Sequence, residues 1–202
     1  MTTRSISATA DLSTALTGAP AITTVFPTGN PLADQLRMLA RTIAVRQTLG
    51  MKRQVFFVSQ GGYDTHDFQL RDRPTLHTAL ASALAAFYQA TVELGVADKV
   101  TTFTASDFGR TLTSNGDGSD HGWGAHHVVR GGAVRGGGIY GTFPQIRLGT
   151  NEDVGSGRLL PDITVDQCAA TLGRWMGASD TALATISPNL SNFTLKDLGF
   201  LA

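Results

Sequence analysis

The stretch from Arg53 to Ser59, with the sequence RQVFFVS, is a nearly continuous apolar run that contains β-branched and aromatic residues. This pattern is typical of a strand that is buried on both of its faces. Two glycines, Gly61 and Gly62, follow the run and end it. We therefore predict a short, buried strand at residues 53–59.

A second strand is predicted at residues 99–105 (KVTTFTA), after an alanine-rich helix that extends from Pro74 to Leu94 and ends at Gly95. A strand, a helix and a strand in this order are typical of two parallel strands joined by a crossover helix. The sequence therefore predicts an α/β fold with a mostly parallel sheet that is flanked by helices.

Two further helices are predicted on either side of this unit. Asn30 is placed to cap a helix that continues to Gly50, and its apolar residues recur at helical spacing. Thr164 and Gln167 have the spacing of a capping box, which opens a last helix that ends near Gly177. The helical segments thus lie before, between and after the predicted strands.

The domain organisation follows from where these signals begin. Residues 1–29 have no sustained periodicity, so we predict a flexible N-terminal arm there. Residues 30–202 are predicted to form a single metal-binding α/β domain, and a chain of 202 residues can bury roughly 70% of its unfolded surface. Within it, glycine is dense over residues 107–140, which we interpret as functional loop with a short third strand at 127–130.

Composition narrows the classes of function. The chain has 16 basic and 16 acidic residues and no run of Lys and Arg, so we expect neither nucleic acid nor an anionic membrane as a partner. We find no signal peptide and no apolar stretch of ~18 residues, and we expect a soluble chain whose compartment is undetermined. Cys168 is the one cysteine, which excludes an internal disulfide and a cysteine-based zinc site.

Four of the five histidines lie in two motifs, GGYDTHD at residues 61–67 and SDHGWGAHH at residues 119–127. Asp64 and His66 follow the first predicted strand and Asp107 follows the second, and open parallel sheets present binding residues at such strand ends. The predicted metal ligands are Asp64, His66, Asp107, Asp120, His121, His126 and His127. The predicted catalytic residues are Asp107, Arg110 and His121.

Carboxylate oxygen and imidazole nitrogen together suit zinc, manganese or iron. A set of this size is sufficient for two divalent metal ions, of which zinc or manganese are preferred. Such a site lowers the pKa of water toward ~7 and supplies hydroxide at neutral pH. The motifs therefore predict a binuclear metallohydrolase.

Structural interpretations of the same residues remain open. Asp64 is also suited to form a turn or to act as a cap, and Asp107 to form an ion pair with Arg110 or to cap a turn. For Arg110, the sequence favours neither contact with a substrate oxyanion nor a structural ion pair over the other. His126 and His127 point to opposite faces if their segment is extended, so at most one faces the metals, and we favour His127.

Other motifs have weaker interpretations. The oxygen-bearing side chains at residues 115–120 could bind calcium, but the rest of an EF-hand loop is missing. The glycine-rich GGAVRGGG does not lie between a strand and a helix, which argues against a dinucleotide loop. For Trp123, packing is favoured over a role in a leaving-group pocket, and His77 is interpreted as an ordinary helical residue.

Four motifs in order, GGYDTHD, SDFGRTL, NGDGSDHGWG and GGAVRGGGIYGTFP, resemble the C-terminal half of proteins of the family called domain of unknown function 1501. The resemblance extends from about Phe26 to the C-terminus, including SPNLSNF at 187–193. It implies membership of the alkaline phosphatase and sulfatase superfamily, a truncated α/β half-fold, and full-length relatives that are exported. It also implies a two-metal crevice, to which five positions carry over: Asp64, His66, Asp107, Asp120 and His121.

Members of that superfamily carry a Ser or Thr nucleophile in an N-terminal half, and nothing similar precedes residue 26 here. The resemblance therefore implies metal-bound hydroxide as the nucleophile. Because a site without a covalent nucleophile and with few basic residues is poorly suited to a dianionic phosphomonoester, we expect a small-molecule phosphodiester or phosphotriester substrate. Sulfatase action is not supported, because Cys168 lies in the wrong context for a modified nucleophile.

A half-fold exposes sheet edge and apolar surface that a second copy would cover, so we also expect a homodimer. The alternative to an enzyme is a non-catalytic, metal-stabilised binding module or one half of a larger assembly. A closed four-ligand site would favour this alternative, whereas an open coordination position would favour catalysis.

Overall fold

The structure is a computed structural model that describes the backbone of residues 2–202 and the side chains of residues 7–202. Met1 and the side chains of residues 2–6, which belong to the predicted arm, lie outside the described residues.

The fold is mixed α/β. Its helices are α1 (Thr2–Thr17), α2 (Pro31–Ala44), α3 (Gln69–Glu93), α4 (Val165–Trp175) and α5 (Asp180–Ile186), with short 3-10 helices at Ala97–Lys99 and Pro188–Asn192. Its strands are β1 (Thr101–Phe103), β2 (Gly109–Ser114), β3 (Ser119–Gly122) and β4 (Val129–Gly131).

The sheets are small and antiparallel. β1 pairs with β4, with Thr102 opposite Arg130, and β2 pairs with β3. The predicted parallel pair between residues 53–59 and 99–105 is wrong, because β1 takes its partner from the predicted third strand near residues 127–130. Residues 53–59 belong to no strand and are not buried as predicted, because Val55 and Phe57 are exposed. An apolar run does not specify which strand pairs with it.

Helix α2 begins where its cap predicts. The Asn30 side chain accepts hydrogen bonds from the backbone N–H groups of Leu32 and Ala33, and Pro31 occupies the first turn. The Asn30 amide also donates to the carbonyl of Ala79 at 2.8 Å. The helix ends at Ala44, before the predicted Gly50, because the chain continues in turns.

The other two predicted helices are also present. Helix α3 begins at Gln69, five residues before Pro74, so that the proline lies inside its N-terminal part. Helix α4 has the predicted capping box, in which Thr164 and Gln167 each bond the other's backbone N–H. Local capping interactions thus set helix starts that could be read from sequence.

The first residues form helix α1 (Thr2–Thr17), where no regular element was predicted. Its apolar face consists largely of alanine between Ser and Thr residues, so its helical periodicity is weak. The flexibility of the arm stays a prediction. None of the helices described combines the length and the hydropathy that a membrane crossing requires.

Contacts divide the chain into two compact units. The first comprises Met1–Asp64 and Arg71–Ala97, and its buried residues include Leu36 of α2 and Phe87 of α3. The second comprises Thr65–Leu70 and Asp98–Ala202. Its core is a cluster of Ala170, Leu183 and Leu190, which α4, α5 and the second 3-10 helix contribute. Whether residues 30–202 fold as a single domain stays a prediction.

The segment after α1 is attached to the C-terminal end of α3 through Glu93. Thr23 and Thr24 each donate a backbone N–H and a hydroxyl to its carboxylate, over 2.6 to 2.8 Å. These four donors favour the ionised form and hold the pKa of Glu93 at about 2, below its ordinary value of 4.5. The carboxylate therefore stabilises the first unit only while it is ionised.

We expect the free energy of unfolding to fall as the pH is lowered from 4.5 toward 2. In this window the unfolded chain takes up a proton that the folded chain does not. Glu93→Gln should remove this part of the pH dependence, because an amide does not titrate. Urea unfolding at about pH 6 and about pH 3 measures it, with Glu152→Gln as the matched control. An equal loss of stability in wild type and Glu93→Gln would contradict the prediction.

Candidate metal site

The loop that follows residues 53–59 is attached to the start of β3. Thr65 is buried, and its carbonyl accepts from the backbone N–H of Ser119 at 3.5 Å. The Ser119 hydroxyl donates to the side-chain oxygen of Gln69 at 2.7 Å, and the Gln69 N–H donates to the carbonyl of Asp117 at 3.0 Å. These bonds hold His66 beside the β2–β3 hairpin.

The two segments approach so closely that Gly118 cannot carry a side chain. A Cβ at this position would lie 2.1 Å from the carbonyl oxygen of His66 and 2.7 Å from that of Thr65. These atoms are backbone and cannot rotate away as a side chain would. Glycine at 118 is therefore a condition for the placement of His66.

The hairpin of β2 and β3 places His121. Arg110 lies opposite His121 and Gly109 opposite Gly122, and the register is irregular between Arg110 and Ser114. Ser119 is buried at the start of β3, while Asp120 and His121 are exposed. The hairpin thus directs an acid and an imidazole to solvent from neighbouring positions.

Three of the predicted ligands lie together. One ligand atom from each of Asp64, His66 and His121 lies within 4.8 Å of the other two, and all three residues are exposed. Asp64 and His66 are two positions apart in the same loop, so the chain itself keeps them adjacent. Within the part of the chain whose side chains are described, this is the group of His, Cys, Asp and Glu residues with metal-site geometry.

Aromatic contacts hold the His121 ring. Phe108 stacks on it with ring centroids 4.0 Å apart and planes inclined by 7°. His66 also stacks with it, at 5.0 Å and 28°. Stacking of this kind restricts the rotation of a ring that is otherwise exposed. Phe108 was not predicted as a site residue, although its place directly after Asp107 in a candidate motif was a signal.

Asp120 lies against the His66 ring. Its carboxylate oxygen Oδ1 is 3.4 Å from His66 Nδ1, and the same oxygen accepts from the Asn115 amide at 2.9 Å. In many metal sites a carboxylate at one ring nitrogen orients the imidazole that binds the metal through its other nitrogen. The geometry therefore gives Asp120 the position of an orienting group for His66.

Arg110 is engaged with the protein itself. Its Nη1 donates to the carbonyl of Ser119 at 2.6 Å, and its Cζ lies 5.1 Å from the centroid of the Phe108 ring. Both contacts help to hold the hairpin that carries His121. A substrate contact through Arg110 stays a prediction.

Asp107, His126 and His127 are not part of this three-residue group among the described residues. Asp107 is exposed. His126 stacks on Phe143 at 4.8 Å, and His127 Nδ1 lies 3.2 Å from the Thr104 hydroxyl. Burial lowers the pKa of His127, and the neighbouring His126 lowers it further. The two adjacent histidines thus contact different parts of the protein.

The family model described as "Protein of unknown function (DUF1501)" matches residues 5–186. The match begins before Phe26, where the motif resemblance was placed, and it ends before the segment 187–193. No curated protein and no solved structure matches the chain.

Proposed function

We propose that this chain, which belongs to the DUF1501 family, is a metal-dependent hydrolase of phosphate esters. The observation that carries the proposal is the convergence of Asp64, His66 and His121 at the solvent-exposed surface. The relation to the alkaline phosphatase and sulfatase superfamily belongs to this proposal. It depends on the motif resemblance alone, because the described strands pair antiparallel.

The residues fit a divalent ion of the zinc or manganese type. Two imidazoles and one carboxylate are a common donor set for such ions. With bonds of about 2.0 to 2.2 Å, ligand atoms of one ion lie at most about 4.4 Å apart. The three ligand atoms lie within 4.8 Å of one another, so small rotations of the exposed side chains would bring them to coordination distance.

Three protein ligands and free access of solvent are the pattern of a catalytic site, whereas structural sites are closed by a fourth protein ligand. This pattern favours the enzyme over the non-catalytic module. A bound ion would lower the pKa of water and so make hydroxide available at neutral pH. The version of the proposal with two ions requires Asp107 or Asp120 as additional ligands.

The chain's own residues have distinct roles in this proposal. Asp120 orients His66 through Nδ1, and Phe108 holds the ring of His121. Arg110 keeps its positive charge while it donates to the neutral carbonyl of Ser119, but one guanidinium does not balance the two negative charges of a phosphomonoester. We therefore propose phosphodiesters and phosphotriesters as the substrate class.

Removal of metal should abolish turnover of aryl phosphodiesters and phosphotriesters, and reloading with zinc or manganese should restore it. The purified protein is stripped by a chelator and dialysed, and its metal content is counted before and after reloading. A rise in thermal stability on reloading gives a second readout that does not depend on activity. Metal binding that raises stability without turnover would support the binding module, and equal behaviour of stripped and reloaded protein would reject both.

A further inference from the structure

Residues 53–59 (RQVFFVS) belong to no helix or strand, and their side chains alternate between more and less exposed positions, which is the pattern of an extended segment. Within residues 2–202, no backbone group of residues 53–58 is hydrogen-bonded to another backbone group. Extended apolar segments with unpaired N–H and C=O groups are templates for pairing with another chain. The segment therefore has the properties of an interaction edge.

The two faces of the segment differ. The side chains of Val55 and Phe57 are 85% and 91% exposed, whereas Phe56 is 38% exposed. Gln54 and Val58, which share the face of Phe56, are half-buried. One face thus packs on the first unit, and the other presents apolar side chains to solvent.

The two edges differ as well. The Gln35 amide donates to the carbonyl of Ser59 at 2.9 Å and accepts from its N–H at 3.1 Å. In a strand, the backbone groups of Ser59 point to the same edge as those of Val55 and Phe57. Gln35 therefore occupies that edge at Ser59, whereas the backbone groups of Gln54, Phe56 and Val58 point to the opposite edge, where they have no backbone partner among the described residues.

We propose that this opposite edge pairs with the same edge of a second copy, antiparallel and centred on Phe56. In this register Gln54 of one copy lies opposite Val58 of the other, and the exposed Val55 lies opposite the exposed Phe57. The pairs at Phe56 and at Gln54 with Val58 exchange about six main-chain hydrogen bonds. Val55 and Phe57 then form aromatic and β-branched pairs, which stabilise antiparallel sheets.

The charged residues at one end of the segment favour antiparallel over parallel pairing of the two copies. Lys52 and Arg53 are adjacent at the N-terminal end of the segment, and the other end has no charged residue before Asp64. A parallel, in-register pair would place each cation opposite its own copy, which is unfavourable. The antiparallel pair places Arg53 opposite Ser59 and separates the cations to the two ends.

The expected area indicates a reversible dimer. From their exposed fractions, Val55, Phe56 and Phe57 supply on the order of 400 Å² per copy, with roughly 200 Å² for a whole phenylalanine. Two copies then bury about 800 Å², which is less than the roughly 1,200 to 2,000 Å² of a standard interface. We therefore expect an association that responds to protein concentration in the micromolar range.

The first test is sedimentation of the wild-type chain over a range up to about 100 µM, where weak interfaces are occupied. We expect a monomer–dimer equilibrium that Phe57→Lys weakens at least about tenfold, because a cation would replace the phenylalanine in both Val55–Phe57 pairs. Val25→Lys is the matched control, since Val25 is 87% exposed in the same unit but outside the segment. A monomer throughout, or a dimer that Phe57→Lys leaves unchanged, would overturn the proposal.

The second test fixes the register. In a Cys168→Ala background, Val55→Cys and Phe57→Cys are oxidised separately and as an equimolar mixture. The proposed register brings residue 55 of one copy within disulfide distance of residue 57 of the other. Crosslinked dimer should therefore accumulate faster in the mixture than in either variant alone. Faster crosslinking of one variant with itself would reject this register, and failure of the metal experiments would not affect this result.

Discussion

His121→Ala should lower kcat/KM for a phosphodiester by about 10³-fold or more, because loss of a metal ligand removes several kcal/mol of transition-state stabilisation. His121 is one of three clustered ligand groups, and the two left are too few to hold an ion firmly. The metal content after reloading should fall together with the activity. Kinetics and metal analysis on the same preparation measure both effects.

The fold should survive this substitution. His121 is exposed and contributes its stacking on Phe108, so we expect the free energy of unfolding to change by no more than about 1 kcal/mol. His77→Ala is the matched control, since His77 is also an exposed histidine but lies in α3, and it should retain activity and metal. Full activity and metal content in His121→Ala would remove the metal cluster from the mechanism.

The residues Asp64, His66 and His121 were selected from the sequence on an assumed strand arrangement, but the contacts that bring them together in the structure are different ones. The selection assumed that parallel strands end at a common edge, but β2 and β3 form an antiparallel hairpin beside the loop at His66. The bond from Ser119 N–H to the Thr65 carbonyl joins positions far apart in sequence. Residue type was sufficient to include these three among the seven candidate ligands, while the pairing of distant segments cannot be read from periodicity.

Local interactions were more predictable. The Asn30 cap and the capping box at Thr164 depend on residues three positions apart, so their sequence determines their structure. The RQVFFVS segment shows the opposite case. Its apolar pattern predicted a buried strand, but the segment belongs to no strand and Phe57 is exposed, because burial depends on a neighbour that the pattern does not identify.

Gly118→Ala should disrupt the metal cluster although it changes no ligand. The new Cβ would meet the carbonyl oxygens of His66 and Thr65 at 2.1 and 2.7 Å, so the loop must move away from β3. We expect the free energy of unfolding to fall by about 1 to 3 kcal/mol, as for other overpacked positions. Metal affinity should fall as well, because movement of the loop separates His66 from His121. Denaturant unfolding and metal titration measure the two effects.

Gly136→Ala is the matched control, because Gly136 belongs to the same unit and a Cβ there would meet no atom within 4 Å. It should leave metal affinity unchanged and stability within about 0.5 kcal/mol of wild type. If Gly118→Ala lost stability but bound metal as the wild type does, the placement of His66 by this contact would not matter for the ion. If both variants behaved alike, the close approach of Gly118 to the loop would be wrong, and with it the way this fold brings His66 to His121.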